Sequence, residues 1–135
     1  MELENLLVVS GWPGIYKMVA NRQNGMVVMD LDSGKKRFVS MRKHQFSPLE
    51  TIAIYTTADT VPLSDLFQIM KSKHPEIPIV PAESDNDELR HYFKEIVPDY
   101  DDQRVFPRDI KRVIKWFHYL NVRNMLEDSD PSEEE

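Results

Sequence analysis

Residues 15–40 read IYKMVANRQNGMVVMDLDSGKKRFVS. In this stretch, short apolar runs alternate with two polar turn signals, RQNG at residues 22–25 and DSG at residues 32–34. Asn-Gly pairs and glycine-containing polar triplets favour tight reversals because they supply residues that accept positive φ angles. Two reversals this close together predict an antiparallel meander rather than a helix bundle.

Further strands are predicted on both sides of this meander. The five predicted strands before residue 57 are Leu6–Val9, Ile15–Asn21, Met26–Leu31, Arg37–Ser40 and Thr51–Thr56. Short strands joined by tight turns are typical of a small antiparallel barrel of the SH3 or Tudor type. Such a sheet closes on itself largely because closure removes exposed edges.

From residue 62 onward, apolar residues recur every third or fourth position, which is the period of an amphipathic helix. Helices are predicted from Pro62 to His74, from Asp85 to Pro98 and from Pro107 to Asn121. Three prolines within residues 75–81 predict an extended linker. The predicted class is therefore α+β: an SH3-like barrel with a trailing helix (1–75), a linker (76–83), a helical domain (84–125) and a disordered acidic tail (126–135).

Charge and composition restrict the class of protein. The chain has 135 residues, no cysteine and a net charge of −6, and six of its acidic residues lie within residues 127–135. Without cysteine there are no disulfides and no thiolate metal sites. No apolar run approaches the roughly 20 residues that span a bilayer, and the first residues, MELEN, are acidic where a signal peptide is basic. We therefore expect a cytoplasmic protein that does not contact a membrane.

The sequence carries no recognisable catalytic or cofactor motif. Its four glycines form no phosphate-binding pattern, and its four histidines lack the spacing of a zinc site. The acidic loop at residues 99–102 lacks the glycine and the distal glutamate of a calcium-binding EF-hand. We expect no enzymatic activity, no cofactor and no metal, although an enzyme with an unrecognised site remains an alternative.

Two candidate binding surfaces remain. The first is basic, flanks the fourth predicted strand and consists of Lys35, Lys36, Arg37, Arg42 and Lys43, followed by His44. Trp12 and Tyr16 are its expected aromatic neighbours. Basic groups beside exposed aromatic rings hold single-stranded RNA or DNA by charge and stacking. The alternative is a solvated hairpin edge whose lysines prevent aggregation.

The second candidate surface lies on the last predicted helix and consists of Arg112, Lys115, Trp116 and Tyr119. Trp, Tyr and Arg dominate the energetics of protein interfaces. The alternative is that Trp116 covers the core. The leading hypothesis is a non-enzymatic binding or adaptor protein that recognises a protein partner, with homodimerisation also open. Weak binding of single-stranded nucleic acid is the second hypothesis.

Several stretches resemble an uncharacterised family of short bacterial proteins known chiefly from the Bacteroidetes. In the N-terminal half they are SGWPGIYK (10–17), LETIAIYT (49–56) and VPL (61–63); in the C-terminal half they are SDNDELRHYF (84–93), PDYD (98–101), RV (104–105), DIK (109–111) and WF (116–117). The resemblance covers about residues 3–120. It implies an SH3-like barrel followed by a helical module in a cytoplasmic protein, and it implies no activity and no catalytic residues.

Overall fold

The computed structural model describes residues 3–126, which form seven strands and three helices. The strands are β1 (Leu6–Val9), β2 (Tyr16–Arg22), β3 (Gly25–Asp30), β4 (Lys36–Ser40), β5 (Phe46–Pro48), β6 (Ala53–Tyr55) and β7 (Thr60–Pro62). The helices are α1 (Leu63–Lys73), α2 (Asn86–Ile96) and α3 (Pro107–Asn121). In the described part, the chain divides into a first unit, residues 3–52, and a second unit, residues 53–126.

The first unit is an antiparallel sheet with the strand order β4-β3-β2-β1-β5. Its core is formed by Leu7, Val9, Tyr16, Val28 and Val39. Strands β4 and β5 are the two edges, so within the described residues the sheet does not close, and the predicted barrel is not confirmed. Strand β5 is an edge of only three residues. It ends at Pro48, because proline has no N–H to continue the ladder.

Both predicted reversals of the meander are present, but their glycines act differently. Gly34 has a φ of 73°, the left-handed conformation expected of a turn glycine. Gly25 pairs with Arg22 at the start of β3 and is not among the residues with positive φ. A Cβ atom at Gly25 would lie 2.6 Å from Cζ of Phe38 and would also clash with the carbonyl oxygen of Val39. Gly25 is thus required for the close approach of β4.

The fifth predicted strand, Thr51–Thr56, does not join this sheet. Its central residues form β6, which pairs with β7 in the second unit, with Ile54 opposite Val61. The place beside β1 is taken by β5, where Val8 lies opposite Ser47. The division after Ile52 also differs from the predicted domain boundaries, because α1 contacts β7 and α2, which belong to the second unit, and the predicted linker 76–83 lies inside that unit.

The three helices are confirmed close to their predicted bounds. Their buried faces are Leu63, Leu66, Phe67 and Met70 in α1, Leu89, Tyr92, Phe93 and Ile96 in α2, and Ile110, Val113, Ile114, Phe117 and Leu120 in α3. The rings of Phe67 and Phe117 meet edge to face at 5.8 Å between centroids, which joins α1 to α3. In residues 3–126, no helix is both long and apolar enough to cross a bilayer.

The chain end differs from the prediction at the one tail residue that the structure describes. Leu126, the first residue of the predicted tail, is buried, and its carbonyl oxygen accepts a hydrogen bond of 2.8 Å from Nζ of Lys71. The predicted disorder is therefore wrong at Leu126. The rest of the predicted disordered tail, residues 127–135, lies outside the described residues.

Candidate functional site

A groove with a volume of about 450 Å³ lies in the second unit, between α2 and the segment that follows α1. The segment contributes Glu76, Ile77, Pro78 and Val80, and α2 contributes Asp87, Glu88, His91, Tyr92 and Glu95. Volumes of a few hundred cubic ångströms are typical of ligand-binding clefts. This groove is the candidate functional site.

Local sequence explains both walls of the groove. Asp85 caps α2, because its Oδ1 accepts the backbone N–H of Glu88 at 2.9 Å. Spacings of three and four residues then place His91 and Glu95 on the same side of the helix as Glu88. The opposite wall is anchored by the backbone N–H of Ile77, which donates to the carbonyl oxygen of Lys73 at the end of α1, at 2.8 Å.

Acidic side chains surround a groove whose accessible lining is mostly apolar. Its walls carry four carboxylates, Glu76, Asp87, Glu88 and Glu95, and neither lysine nor arginine. His91 Nε2 lies 3.1 Å from Oε1 of Glu95, and both side chains are exposed. Within residues 3–126, no three histidine or carboxylate side chains converge as metal ligands. The summed negative charge favours a positively charged ligand.

Tyr92 is the unusual residue of the groove. Its side chain is only 2% exposed, and within the described residues its hydroxyl group has no hydrogen-bond partner. Burial raises the pKa of this hydroxyl, and the negative charge of Glu95 raises it further, so the group stays protonated. Leaving a buried hydroxyl unpaired costs about 1–3 kcal/mol, and such groups require an explanation.

The four predicted partner-binding residues share one side of α3. Arg112 and Lys115 are exposed, whereas Trp116 and Tyr119 are half-buried. Their spacing of three and four residues places them together, beside the buried face of the helix. The ring of Tyr119 is covered by the guanidinium group of Arg123, whose carbon lies 3.5 Å from the ring centroid. This side of α3 is therefore a mixed aromatic and basic strip.

The predicted nucleic-acid-binding residues do not form a single surface. Lys35, Lys36, Arg37, Arg42 and Lys43 are all exposed. Because side chains alternate along β4, Lys36 and Arg37 point to opposite faces of the sheet. Arg42 and Lys43 lie in the turn after β4.

Arg37 belongs to a separate cluster of side chains that is centred on Trp12. The guanidinium carbon of Arg37 lies 4.0 Å from the centroid of the Trp12 ring. The ring of Trp12 also meets the rings of Tyr16 and His44 edge to face, at 5.5 and 5.3 Å. The structure thus places Arg37 on Trp12, one of the two aromatic neighbours expected from the sequence, and Tyr16, the other, contacts the same Trp12 ring. Since Arg37 already lies over the Trp12 ring, it covers one face on which a base would otherwise stack.

The groove was not predicted from the sequence. The available signal was Tyr92 itself, because a tyrosine inside an apolar helical stripe brings a hydroxyl group that needs a partner. The carboxylates gave no comparable signal, because exposed acidic residues on a helix are ordinary solvated groups.

Two family models match the chain, one in each unit. A domain of unknown function, DUF6852, matches residues 52–120, and a second domain of unknown function, DUF5606, matches residues 3–49. The chain belongs to the DUF6852 family. The border between the two matches falls at the division of the structure after Ile52.

The DUF6852 member is also similar to a solution NMR structure from Bacteroides vulgatus. The two share 34% sequence identity with a TM-score of 0.70, and the alignment covers 94% of this chain and 90% of the other. No curated protein matches. The resemblance to an uncharacterised family is confirmed at this level, whereas neither the two families nor the similar NMR structure carries a named activity.

Proposed function

We propose that this DUF6852 member is a non-enzymatic binding protein that recognises a positively charged, extended segment of a protein partner in the groove of the second unit. The observation that carries the proposal is that Tyr92 lines a groove with four carboxylates and has a buried hydroxyl group without a hydrogen-bond partner among residues 3–126. A site with these features is prepared for a ligand that donates hydrogen bonds and carries positive charge.

A lysine side chain from the partner fits this chemistry. An ammonium group has three N–H donors, which in this proposal are shared between the carboxylates of Glu88 and Glu95 and the oxygen of Tyr92, which the free protein buries and which the ligand reaches through a small shift of the ring. Hydrogen bonds between two charged groups are about twice as strong as neutral ones. The aliphatic stem packs on the apolar wall at Ile77 and Val80, as lysine stems commonly do on apolar surfaces.

The proposal also includes the class of the first unit and the location of the protein. The pairing of β5 with β1 in the order β4-β3-β2-β1-β5 supports an SH3-like module that is open rather than closed. The absence of cysteine suits a reducing compartment such as the cytoplasm. Both statements are consistent with a modular binding protein.

The experiment is a titration of the full chain with two fluorescein-labelled peptides, AKVPKIA and its acidic counterpart AEVPEIA. We expect saturable binding of the basic peptide only. The double variant Glu88→Gln/Glu95→Gln should weaken binding about tenfold or more, because two charge-assisted contacts are lost. The matched control Glu50→Gln/Glu83→Gln removes the same charge from exposed positions outside the groove and should change affinity less than twofold.

Three results would contradict the proposal: no binding of the basic peptide, equal binding of both peptides, or equal loss in the groove variant and the control. The predicted partner surface on α3 and the predicted homodimer are separate proposals. Sedimentation velocity of the wild type and of Trp116→Ala tests them, since a dimer that uses α3 dissociates in the variant.

A further inference from the structure

The pairing register of the first unit defines a face of the sheet that the sequence alone did not show. Residues directly opposite one another on neighbouring strands share a face, so the side chains on β2, β3 and β4 form three rows. The rows are Lys17–Met29–Lys36, Ala20–Val27–Phe38 and Arg22–Gly25–Ser40. We call these nine positions the outer face, because they alternate with the core residues Val28 and Val39.

Three of the four residues that end the first and third rows of the outer face are basic, and we call them the basic corners. Lys17, Lys36 and Arg22 are all exposed, and no acidic residue stands in the three rows. The first row continues on β1 to Leu6, which is buried, so the accessible part of the face is formed by β2, β3 and β4. Residues 3–52 as a whole carry seven Lys and Arg against four Asp and Glu. The charge of this face thus complements an anionic partner.

An aromatic ring stands between the basic corners. Phe38 is 50% exposed, which is unusual for a phenylalanine on a strand. Its ring lies over Gly25, because a Cβ atom there would come within 2.6 Å of Cζ. The missing side chain of Gly25 therefore lets the ring approach the backbone of β3 closely, while half of the side chain remains accessible. A ring placed in this way can stack with another planar group.

We propose that the outer face binds single-stranded nucleic acid, with a base stacked on Phe38 and phosphates held by Lys17, Lys36 and Arg22. Strand spacing puts the two lysines of the first row about 10 Å apart, on either side of Met29. Nucleic acid fits better than an acidic peptide, because it supplies both negative charge and a planar ring for Phe38. This site lies in the first unit and the groove lies in the second, so a test of one proposal does not decide the other.

The site differs from the basic surface predicted from the sequence, with which it shares only Lys36. Arg37 lies on the opposite face and stacks on Trp12. Arg42 and Lys43 lie in the turn after β4, and neither is in the three rows. The two arrangements can therefore be separated by substitution.

The experiment measures fluorescence anisotropy of labelled oligouridine and oligothymidine of about 12 nucleotides, within the site sizes of single-strand-binding modules. With three phosphates neutralised on a single strand, the slope of log K against log salt is about −2. The full chain should therefore lose affinity about 20-fold between about 50 and 200 mM salt.

Variants assign the contacts. Phe38→Leu keeps an apolar side chain but removes stacking, and it should weaken binding about tenfold. Phe38→Tyr keeps an aromatic ring and should bind as the wild type does. Lys17→Gln/Lys36→Gln should reduce the magnitude of the salt slope to about 0.7. The matched control Arg42→Gln/Lys43→Gln removes the same charge from the turn and should leave affinity within twofold. Circular dichroism of each variant confirms that it is folded.

The result expected is binding of the oligonucleotides that depends on both Phe38 and the two lysines. Absence of binding by the wild type at the lower salt concentration overturns the proposal. Loss in the control variant but not in Lys17→Gln/Lys36→Gln overturns it as well, because the turn would then be the contact. Binding of phosphatidylserine vesicles or of a polyglutamate peptide in place of the oligonucleotides would assign the face to another kind of partner and likewise overturn it.

Discussion

Replacing Tyr92 with phenylalanine should stabilise the second unit. Removing the hydroxyl group of a buried, hydrogen-bonded tyrosine normally lowers the stability of the protein, because the partner group is left unpaired. Tyr92 is in the opposite situation, since its hydroxyl is buried and, within the described residues, has no partner. Tyr92→Phe removes the buried polar group and leaves the ring in place.

The size of the effect follows from two opposing contributions. Burying a hydroxyl without a partner costs about 1–3 kcal/mol, and the substitution recovers this cost. Loss of one oxygen atom leaves a void of roughly 10 Å³, which at about 24 cal/mol per Å³ costs about 0.2 kcal/mol. With the lower end of the desolvation cost, we therefore expect the free energy of unfolding to rise by about 1 kcal/mol. With a urea m value of about 1–2 kcal/mol per molar, the midpoint shifts upward by about 0.5–1 M.

Urea unfolding followed by tryptophan fluorescence measures this change within one unit. The chain has two tryptophans, Trp12 in the first unit and Trp116 in the second. A Trp12→Phe background leaves Trp116 as the only reporter, so the transition refers to the unit that contains Tyr92. The matched control is Tyr55→Phe, which removes the same group from a side chain that is 45% exposed and should leave the midpoint unchanged.

A urea midpoint that falls by about 0.5–1 M in Tyr92→Phe would refute this reasoning, because it would show that the hydroxyl group is hydrogen-bonded in solution. The same variant should bind the basic peptide AKVPKIA more weakly than the parent does. Greater stability together with weaker binding is a combination that damage to the fold does not produce, because damage lowers both.

Three further predictions concern other parts of the chain. Gly25→Ala should destabilise the first unit by about 2 kcal/mol, measured by urea unfolding with Trp12 fluorescence in a Trp116→Phe background, because its Cβ would collide with the ring of Phe38. Asp85→Ala should lower the free energy of unfolding by about 1 kcal/mol, measured in a thermal melt, because the cap of α2 is lost. Hydrogen bonding to Arg104 holds the pKa of Asp101 below its usual range. A lowered carboxyl pKa stabilises the fold above the unfolded value near 4, and this contribution disappears as the pH falls through the lowered pKa. Urea unfolding at acidic pH should therefore show a smaller loss of stability below about pH 4 in Asp101→Asn than in the wild type.

The helices were predictable because their signals are local. The apolar positions of α3 recur every third or fourth residue, and Pro107 suits the first helical turn. The cap at Asp85 was equally visible, since a carboxylate three residues before Glu88 is a standard helix start. Each of these features depends on residues within one or two turns of each other, so no knowledge of the tertiary fold was needed.

The sheet was predictable only in part, because strand pairing joins distant residues. Phe46–Pro48 is too short to show alternation and contains a proline, yet it forms the edge strand beside β1. Thr51–Thr56 has the composition of a strand, but its pairing with β7 is decided by the hairpin that the chain forms before α1. Composition identified extended segments, whereas it did not identify their partners.

A single extra residue in β2 explains why the outer face was not predictable at all. Met18 lies opposite Val28 and Ala20 opposite Val27, so Val19 is a bulge between them. Simple alternation from Lys17 would place Val19 and Asn21 on the outer face and turn Arg22 toward the core side. The bulge reverses this order beyond Met18, because a shift of one residue exchanges the two faces of a strand. It brings Arg22 to the face that carries Lys17 and Lys36, and the third basic corner exists only because of it.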